Sequence, residues 1–186
     1  MEIFKTFTAK NGKKVVLRSA TKKDLLGLLR YINSLVRENA PILENKVKTL
    51  KEEKKFLAEL LGDLKKKNRV HLVSEVSGKV VGTCDIRKGR GKRAHIGIFG
   101  IGVMKGYRNL GIGKEMTRTT IDLARKRLKI EGVKLEVYDT NKTAQRLYKK
   151  FGFRKVARIP KDRKDGRKYS DSFIMQLWLK EYKPPK

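Results

Sequence analysis

A glycine-containing segment, Arg108-Asn-Leu-Gly-Ile-Gly113, opens a predicted helix shortly after an apolar strand. The first backbone N–H groups of a helix have no intrahelical partner, and together with the helix dipole they attract anions. Gly111 and Gly113 have no side chains, so a phosphate group can approach the backbone closely. Arg108 and Lys114 add positive charge beside them. The segment therefore predicts a phosphate-binding site, and tight helix–strand packing is the alternative explanation of the two glycines.

Two other phosphate-binding motifs fit the sequence less well. No Lys-Ser or Lys-Thr pair follows the glycines, so the segment is not a P-loop. Gly89-Arg-Gly-Lys-Arg-Ala94 formally matches the dinucleotide-binding fingerprint, but it lies in a predicted turn between two strands rather than at the start of a helix. The phosphate site is therefore predicted at Arg108–Gly113.

A second motif lies further along the chain, at Asn141, Ala144, Leu147-Tyr148 and Phe151-Gly-Phe153. With Arg108–Gly113 it resembles the paired motifs of the GNAT superfamily of N-acetyltransferases, Arg/Gln-x-x-Gly-x-Gly/Ala and Asn-(x)n-Ala-x-x-Leu-Tyr-x-x-x-Gly-Phe. The resemblance covers about Val15 to Leu179 and is closest in motif to ribosomal-protein alanine and amino-acid N-acetyltransferases. It implies direct transfer of an acetyl group from acetyl-CoA to a primary amine, such as a protein N-terminus, an amino acid or another small amine.

The resemblance also implies roles for individual residues. The strand that ends at Ile101-Gly-Val103 would hydrogen-bond the pantetheine arm, and Asn141 would bond the pantetheine region. Tyr148 would donate a proton to the departing CoA thiolate, and simple packing beside Phe151 is the alternative for this aromatic residue. The implied cofactor-binding residues are Ile101, Gly102, Val103, Arg108, Asn109, Leu110, Gly111, Ile112, Gly113, Lys114, Asn141 and Tyr148.

Acetyl transfer to an amine also needs a group that removes a proton. An amine at neutral pH is mostly ammonium, which cannot attack a thioester until it loses that proton directly or through water. The strand Ala94–Val103 has no carboxylate, only His95, whereas the next strand offers Glu136. Members of the superfamily that acetylate protein N-termini use the matching glutamate as the base, which makes Glu136 the second catalytic candidate. The alternative is that Glu136 lies on the polar face of its strand beside Lys134 and Tyr138.

The elements that must position these residues follow from hydrophobic periodicity and turn signals. We predict one α/β (α+β) domain over residues 1–186 with its core at 15–179. The resemblance implies the GNAT fold, and we expect a mixed and mostly antiparallel central sheet with helices on both faces, splayed near Val103 and Leu135 to admit the cofactor. The predicted strands are Phe4–Thr8, Val15–Arg18, Val70–Val76, Lys79–Ile86, Ala94–Val103, Val133–Tyr138, Phe153–Ile159 and Ser172–Leu179, with a polar loop at Pro160–Ser170. The predicted helices follow Thr21 as far as Pro41, span Val47–Leu64, run from about Gly111 to Ile130, and span Lys142–Phe151.

The charge of the chain supports a rival interpretation. Lys and Arg number 48 against 19 Asp and Glu, a net charge of +29 that attracts anions and nucleic acids non-specifically. Clusters at Lys65–Arg69, Arg87–Arg93 and Arg154–Lys168 could mark an RNA- or ribosome-binding module. Against this, the clusters have no interleaved aromatic residues for base stacking. The two interpretations are compatible if an acetyltransferase acts on a ribonucleoprotein.

Composition limits the remaining function classes. One cysteine, Cys84, excludes an intramolecular disulfide, and with two histidines it excludes an all-His/Cys zinc site, so we expect no metal. The N-terminus has no signal-peptide core and no segment approaches the length of a transmembrane helix. We therefore expect a cytoplasmic protein with no membrane partner. The sequence leaves the acceptor and the oligomeric state open, a homodimer included.

Overall fold

The computed structural model describes residues 1–185, which form two compact units. The first unit comprises Met1–Arg87 and Gly100–Leu128, and the second comprises Lys88–Phe99 and the chain from Lys129 onward. The prediction of one domain over the whole chain concerns how these units combine, and it stays a prediction.

The first unit contains four antiparallel strands and three helices. The strands are β1 (Ile3–Thr8), β2 (Lys14–Arg18), β3 (Arg69–Val76) and β4 (Lys79–Lys88), hydrogen-bonded in the order β1-β2-β3-β4. The helices are α1 (Leu25–Arg37), α2 (Leu50–Lys65) and α3 (Ile112–Arg127), with a short 3-10 turn at Lys22–Asp24. Gly12, with a φ of 78°, lies in the turn that joins β1 and β2 in a hairpin, and both predicted strands are confirmed.

Helices cover both faces of this part of the sheet. Val73 of β3 and Val80 of β4 belong to the apolar core beneath α1 and α2. On the opposite face, Gly82 lies close to Met116 of α3, since a Cβ built on Gly82 would be 3.3 Å from the Met116 sulfur. The predicted placement of helices on both faces is therefore confirmed for this unit.

The second helix begins later than its hydrophobic periodicity predicts. Val47 was expected in the first turn, but it is exposed and precedes the helix, which begins at Leu50. Thr49 and Glu52 form a capping box in which Thr49 Oγ1 accepts from the Glu52 amide at 3.3 Å and the Glu52 carboxylate accepts from the Thr49 amide at 2.7 Å. This cap fixes the first turn, because it satisfies backbone donors that would otherwise have no partner.

The second unit contains the remaining strands and one helix. The strand β5 (Ile96–Val103) is shared between the units, and its first half pairs in parallel with β6 (Gly132–Tyr138). The antiparallel strands β8 (Lys168–Trp178) and β7 (Arg154–Asp165) follow β6 in that order, and the helix is α4 (Lys142–Lys150). Short 3-10 turns lie at Gly91–Arg93 and Leu179–Glu181. Together with the first unit, these pairings confirm the predicted mixed, mostly antiparallel sheet.

The predicted polar loop Pro160–Ser170 is wrong. Most of this segment belongs to a long hairpin, because β7 continues to Asp165 and β8 begins at Lys168 around Gly166, whose φ is 59°. A register shift between Ile159 and Arg163 accommodates Pro160 within the strand. The outermost strand is almost entirely exposed and charged, so it lacks the apolar alternation that predicts a strand, as is common at sheet edges.

A buried ion-pair cluster connects the hairpin of the first unit to the start of α1. Arg18 donates to both oxygens of Asp24, at 2.6 and 3.0 Å, and to Glu75 at 2.8 Å. Asp24 Oδ2 also accepts from the Thr21 amide at 2.7 Å. Burial tends to raise the pKa of Asp24, but the hydrogen bonds from Arg18 and Thr21 outweigh it and hold the pKa below its ordinary value.

We expect Asp24→Asn to lower the free energy of unfolding by about 3 kcal/mol, at the low end for a broken buried ion pair, because Glu75 still partners Arg18. Urea denaturation at pH 7 measures this, and exposed Glu59→Gln is the matched control, expected within about 0.5 kcal/mol of the parent. A lowered pKa stabilises the fold above the unfolded-state pKa and loses that effect as the pH falls through the folded-state pKa. The difference between parent and variant should therefore shrink in acid, and a difference that persists unchanged would contradict the ion-pair explanation.

Candidate functional site

The predicted phosphate-binding segment forms a tight turn before α3 in the first unit. Asn109 and Gly111 both adopt left-handed backbone conformations, with φ of 63° and 87°, on either side of Leu110. Gly111 is the N-cap of α3 and supplies no side-chain hydrogen bond to the first turn. Alternating conformations of this kind turn successive N–H groups toward one point and create an anion-binding concavity. The backbone geometry at Asn109–Gly111 therefore suits an anion.

Arg108 forms two contacts with other residues of the first unit. Its Nε donates to the carbonyl oxygen of Val103 at 2.8 Å, and its guanidinium forms an ion pair with Glu38 just beyond the C-terminus of α1. These contacts fasten the turn to the end of β5 and to α1. The cofactor-binding role that the sequence predicts for Arg108 stays a prediction.

The first turn of α3 is held in place by packing and by one ion pair. Ile112 and Met116 are fully buried, one turn apart on the same side of the helix. Glu115 is bound by Lys5 of β1 at 2.5 Å, and the Lys10 amide donates to the Leu110 carbonyl oxygen at 3.2 Å. The turn is therefore supported on the side of the β1–β2 hairpin.

The end of β5 also has a structural reason for its glycine. A Cβ built on Gly102 would lie 2.2 Å from the hydroxyl oxygen of Tyr31 and 3.1 Å from a methyl group of Leu35, so only glycine fits. Its neighbours Ile101 and Val103 are half-buried. Gly102 therefore allows α1 to pack directly against the strand that the motif resemblance assigns to pantetheine.

Tyr148 lies in an aromatic cluster of the second unit. Its ring is buried on α4 and meets Phe99 edge-on at a centroid distance of 5.7 Å and Phe153 at 5.9 Å. Phe99 and Phe153 are themselves 6.0 Å apart. The packing alternative named Phe151 as the neighbour, but the ring contacts are to Phe99 and Phe153. Packing against these two rings restricts the orientation of the Tyr148 phenol.

Asn141 begins α4 and has a structural function of its own. Its side-chain oxygen accepts a hydrogen bond from the Ala144 amide at 3.1 Å, as an N-cap does. Gln145, which sequence analysis missed, donates to the carbonyl oxygens of Tyr138 and Asp139 at 3.0 Å each and so ties α4 to the end of β6. The cap leaves the amide nitrogen of Asn141 as the group that can donate to a ligand.

Glu136 lies at an exposed position of β6 in the second unit, yet its pKa is raised above the ordinary value. Partial burial of the carboxylate is the main cause, followed by repulsion and hydrogen bonding from Asp162 of β7. The Ser172 hydroxyl and the positive charge of Lys134 act in the opposite direction. Asp162 was not predicted, because it lies in the segment wrongly assigned to a loop.

The structure thus groups the predicted residues by unit. The first unit contains the turn at Asn109–Gly111 and the end of β5. The second unit contains Glu136, Asn141 and Tyr148, the last two on the same helix. No helix within residues 1–185 is both long and apolar enough to cross a membrane.

Comparison with known proteins identifies the family. A model of the acetyltransferase (GNAT) family matches residues 33–153. An N-alpha-acetyltransferase of Sulfurisphaera tokodaii is 29% identical over 178 residues, which cover 90% of this chain and 95% of that protein. The L-amino acid N-acetyltransferase AaaT of Escherichia coli is 34% identical over 84 residues, which span 44% of this chain and about half, 51%, of that enzyme.

The fold agrees with the same family. The structure of yncA from Salmonella typhimurium with its cofactor acetyl-CoA has a TM-score of 0.79 at 22% identity, and the match covers 92% of this chain and 98% of that one. The family match spans both sequence motifs, Arg108–Gly113 and Asn141–Phe153, which confirms the enzyme class predicted from them. The chain therefore belongs to the acetyltransferase (GNAT) family.

Proposed function

We propose that this chain transfers the acetyl group of acetyl-CoA directly to a primary amine, and that the acceptor is the α-amine of a peptide or amino acid. The uncapped N-terminus of α3, with its two left-handed residues, is the observation on which the proposal rests. Relatives named as N-alpha-acetyltransferase and L-amino acid N-acetyltransferase support the choice of α-amines. The buried free Cys84 fits the reducing cytoplasm expected from the sequence.

The cofactor would be held by the backbone more than by charged side chains. The N–H groups from Asn109 to Lys114 would bind the pyrophosphate, and the backbone of Ile101–Val103 would bind the pantetheine arm. The amide nitrogen of Asn141 would add one hydrogen bond, because its oxygen caps α4. Arg108 would act indirectly, since its contacts to Val103 and Glu38 preserve the shape of the turn.

Two side chains would move the protons of the reaction. Acetyl-CoA supplies the thioester, whose carbonyl carbon forms a bond to the acceptor nitrogen while the carbon–sulfur bond breaks. Glu136 would accept the proton that the acceptor ammonium must lose. Tyr148 would give its phenolic proton to the departing sulfur and would be reprotonated by the second proton that the acceptor nitrogen loses. A raised pKa suits Glu136 as a base, because its proton affinity is then nearer to working pH.

Nucleic-acid attraction is a second, non-specific property that we propose for the basic surface. The β7–β8 hairpin is its most exposed part, but several of its cations already lie over aromatic rings of the same hairpin. Lys155 lies 3.2 Å from the ring centroid of Phe173, and Lys164 lies 5.7 Å from that of Tyr169. These rings are thereby less available to stack on bases, which favours acetyl transfer as the function.

The direct test is turnover with a panel of acceptors, namely peptides with different N-terminal residues, free amino acids and aliphatic amines. Release of the free CoA thiol measures the reaction, and mass spectrometry locates the acetyl group on the product. We expect α-amines to be acetylated in preference to simple alkylamines. Absence of thiol release with every acceptor would overturn the proposal.

Replacing Tyr148 with Phe removes the phenolic proton but keeps the aromatic cluster. General acids typically contribute about 10²–10⁴-fold, so we expect Tyr148→Phe to lower kcat by roughly that factor. The affinity for acetyl-CoA, measured by calorimetry, should change little. Tyr169→Phe, at an exposed position of the same unit, is the matched control and should leave kcat unchanged. If Tyr148→Phe keeps the parental kcat, Tyr148 is not the general acid and contributes only to packing.

Replacing Glu136 with Gln removes the proposed base at nearly constant shape. We expect kcat/KM to fall most at low pH, where the acceptor amine is most fully protonated, and to recover partly as the pH rises. The measurement is kcat/KM for a peptide acceptor from pH 6 to pH 9, about three units that span the working range. If Glu136→Gln keeps the parental pH dependence, a water chain or a group on the acceptor must remove the proton.

Asp162 should tune this pH dependence. Burial and Asp162 both raise the pKa of Glu136, so Asp162→Asn should lower that pKa without abolishing the base. Because the base works when deprotonated, the acidic limb of the kcat/KM profile should move to lower pH. Asp165→Asn on the same hairpin is the charge-matched control and should leave the limb in place. An unmoved limb in Asp162→Asn would separate Asp162 from the reaction.

A further inference from the structure

A cavity in the first unit lies between the helices α1 and α2 and the strands β3 and β4. Its volume is about 250 Å³, below the range of roughly 300–1,000 Å³ that is typical of sites for drug-sized ligands. The ionised side chains that line it are Glu44, Glu52, Glu53 and Lys48. None of these residues belongs to the motifs from which the acetyl-transfer site was predicted.

The charge of the cavity is opposite to that of the chain. Three carboxylates and one ammonium give it a formal charge of −2, whereas the whole chain has a net charge of +29. Lys48 already forms an ion pair with Glu44, which lies four residues earlier in the sequence. Glu52 is kept ionised by hydrogen bonds from Thr49, which lower its pKa. The excess negative charge therefore lies at Glu52 and Glu53.

Glu53 occupies a position that helical periodicity would give to an apolar residue. It shares one face of α2 with the buried residues Leu57 and Leu60, and it is only 5% exposed. Within residues 1–185 its carboxylate forms no hydrogen bond or ion pair, and burial raises its pKa. The positive charge of Lys48 only partly offsets the effect of burial, so a cation from outside the chain would stabilise the carboxylate further.

A second buried polar group lines the same cavity. His71 of β3 lines the cavity and is 3% exposed, and its Nδ1 has no hydrogen-bond partner in the described part of the chain. Burial lowers the pKa of His71 to about 3, so the imidazole is neutral at physiological pH and adds no positive charge. A neutral imidazole can accept a hydrogen bond from an ammonium group.

The walls of the cavity indicate what accompanies the positive charge. Leu28, Ile32 and Phe56 contribute apolar surface to the same cavity. A metal ion would not use this surface, whereas methylene groups would be buried against it. We infer that the cavity binds a short aliphatic chain that ends in an ammonium group.

The cavity adjoins the strand that we propose for the cofactor. Tyr31 lines the cavity, and its hydroxyl lies directly against the backbone of Gly102, where a Cβ would approach within 2.2 Å. The Thr83 hydroxyl donates to the same oxygen at 3.3 Å. This inference rests on the proposed function. The acceptor whose α-amine is acetylated would also have a second, aliphatic ammonium group, as lysine does. The cavity would hold that second group.

Binding is tested first and without acetyl-CoA. Calorimetry should detect binding of 1,5-diaminopentane to the parent chain but not of 1,5-pentanediol, its neutral counterpart. Glu53→Gln should weaken diamine binding about tenfold or more, the factor expected for a lost hydrogen bond to a charged group. Glu59→Gln, an identical change at an exposed position of α2, should bind as the parent does. No binding by the parent, or equal binding by the two variants, overturns the inference.

Stability keeps the result interpretable. Glu53→Gln removes a desolvated charge, so its melting temperature should not fall below that of the parent at pH 7. If the variant does not fold, Glu44→Gln is the second variant, because it reduces the excess negative charge and leaves Lys48 in the cavity without its carboxylate. Diamine binding should then weaken as well, and unchanged binding overturns the inference.

Turnover separates this inference from the proposed function. Lysine and norleucine have side chains of similar length, but only lysine has a terminal ammonium. The ratio of kcat/KM for lysine to that for norleucine should exceed ten in the parent and in Glu59→Gln. A factor of ten corresponds to about 1.4 kcal/mol of discrimination. In Glu53→Gln the ratio should approach one. Equal turnover of both amino acids by the parent overturns the inference and preserves acetyl transfer. Diamine binding without turnover of any α-amine supports the cavity and overturns the proposed function.

Discussion

The first backbone N–H groups of α3 have no hydrogen-bond partner within the helix. The helices α2 and α4 begin with side-chain caps from Thr49 and Asn141, whereas α3 begins with Gly111, which has no side chain to offer. Donors left unsatisfied in this way are costly unless water or a ligand accepts from them. Most other features of the turn follow from this requirement, including the left-handed residues that direct the donors and the Arg108 contacts that brace them.

Carboxylates serve two opposite purposes in this cationic chain. The buried Asp24 is surrounded by donors, and its pKa is lowered, so it stabilises the folded state as an anion. Glu136 and Glu53 have raised pKa values, because their burial outweighs the nearby positive charges of Lys134 and Lys48. With 48 basic residues available, unmatched carboxylates do not reflect a shortage of partners. Their isolation suits groups that must accept a proton or bind a cation.

The sequence predicted the parts of the site that depend on local structure. The glycines of the α3 turn and the asparagine at the start of α4 act within a few residues of themselves, so motif spacing was enough to find them. Contacts between distant segments had no such signal. The Arg108–Glu38 ion pair joins residues 70 positions apart, and the approach of Tyr31 to Gly102 depends on how α1 packs on β5. The second half of β7, from Pro160 to Asp165, was missed because its exposed charged residues show no apolar alternation.

Departures from ordinary structural rules are confined to a few positions of this fold. Capping boxes, the paired Arg18 and the alternating strand faces all agree with local preference, and such agreement is what specifies a fold. Exceptions within residues 1–185 include the start of α3, which has no side-chain cap, the raised pKa of Glu136 and the buried carboxylate of Glu53. At each of these positions a ligand would supply an interaction that the chain does not. The groups are the backbone donors of α3, the proton acceptor Glu136 and the anion Glu53. An acetyltransferase needs all three, because it must hold an anionic cofactor, deprotonate an ammonium and select one amine among many.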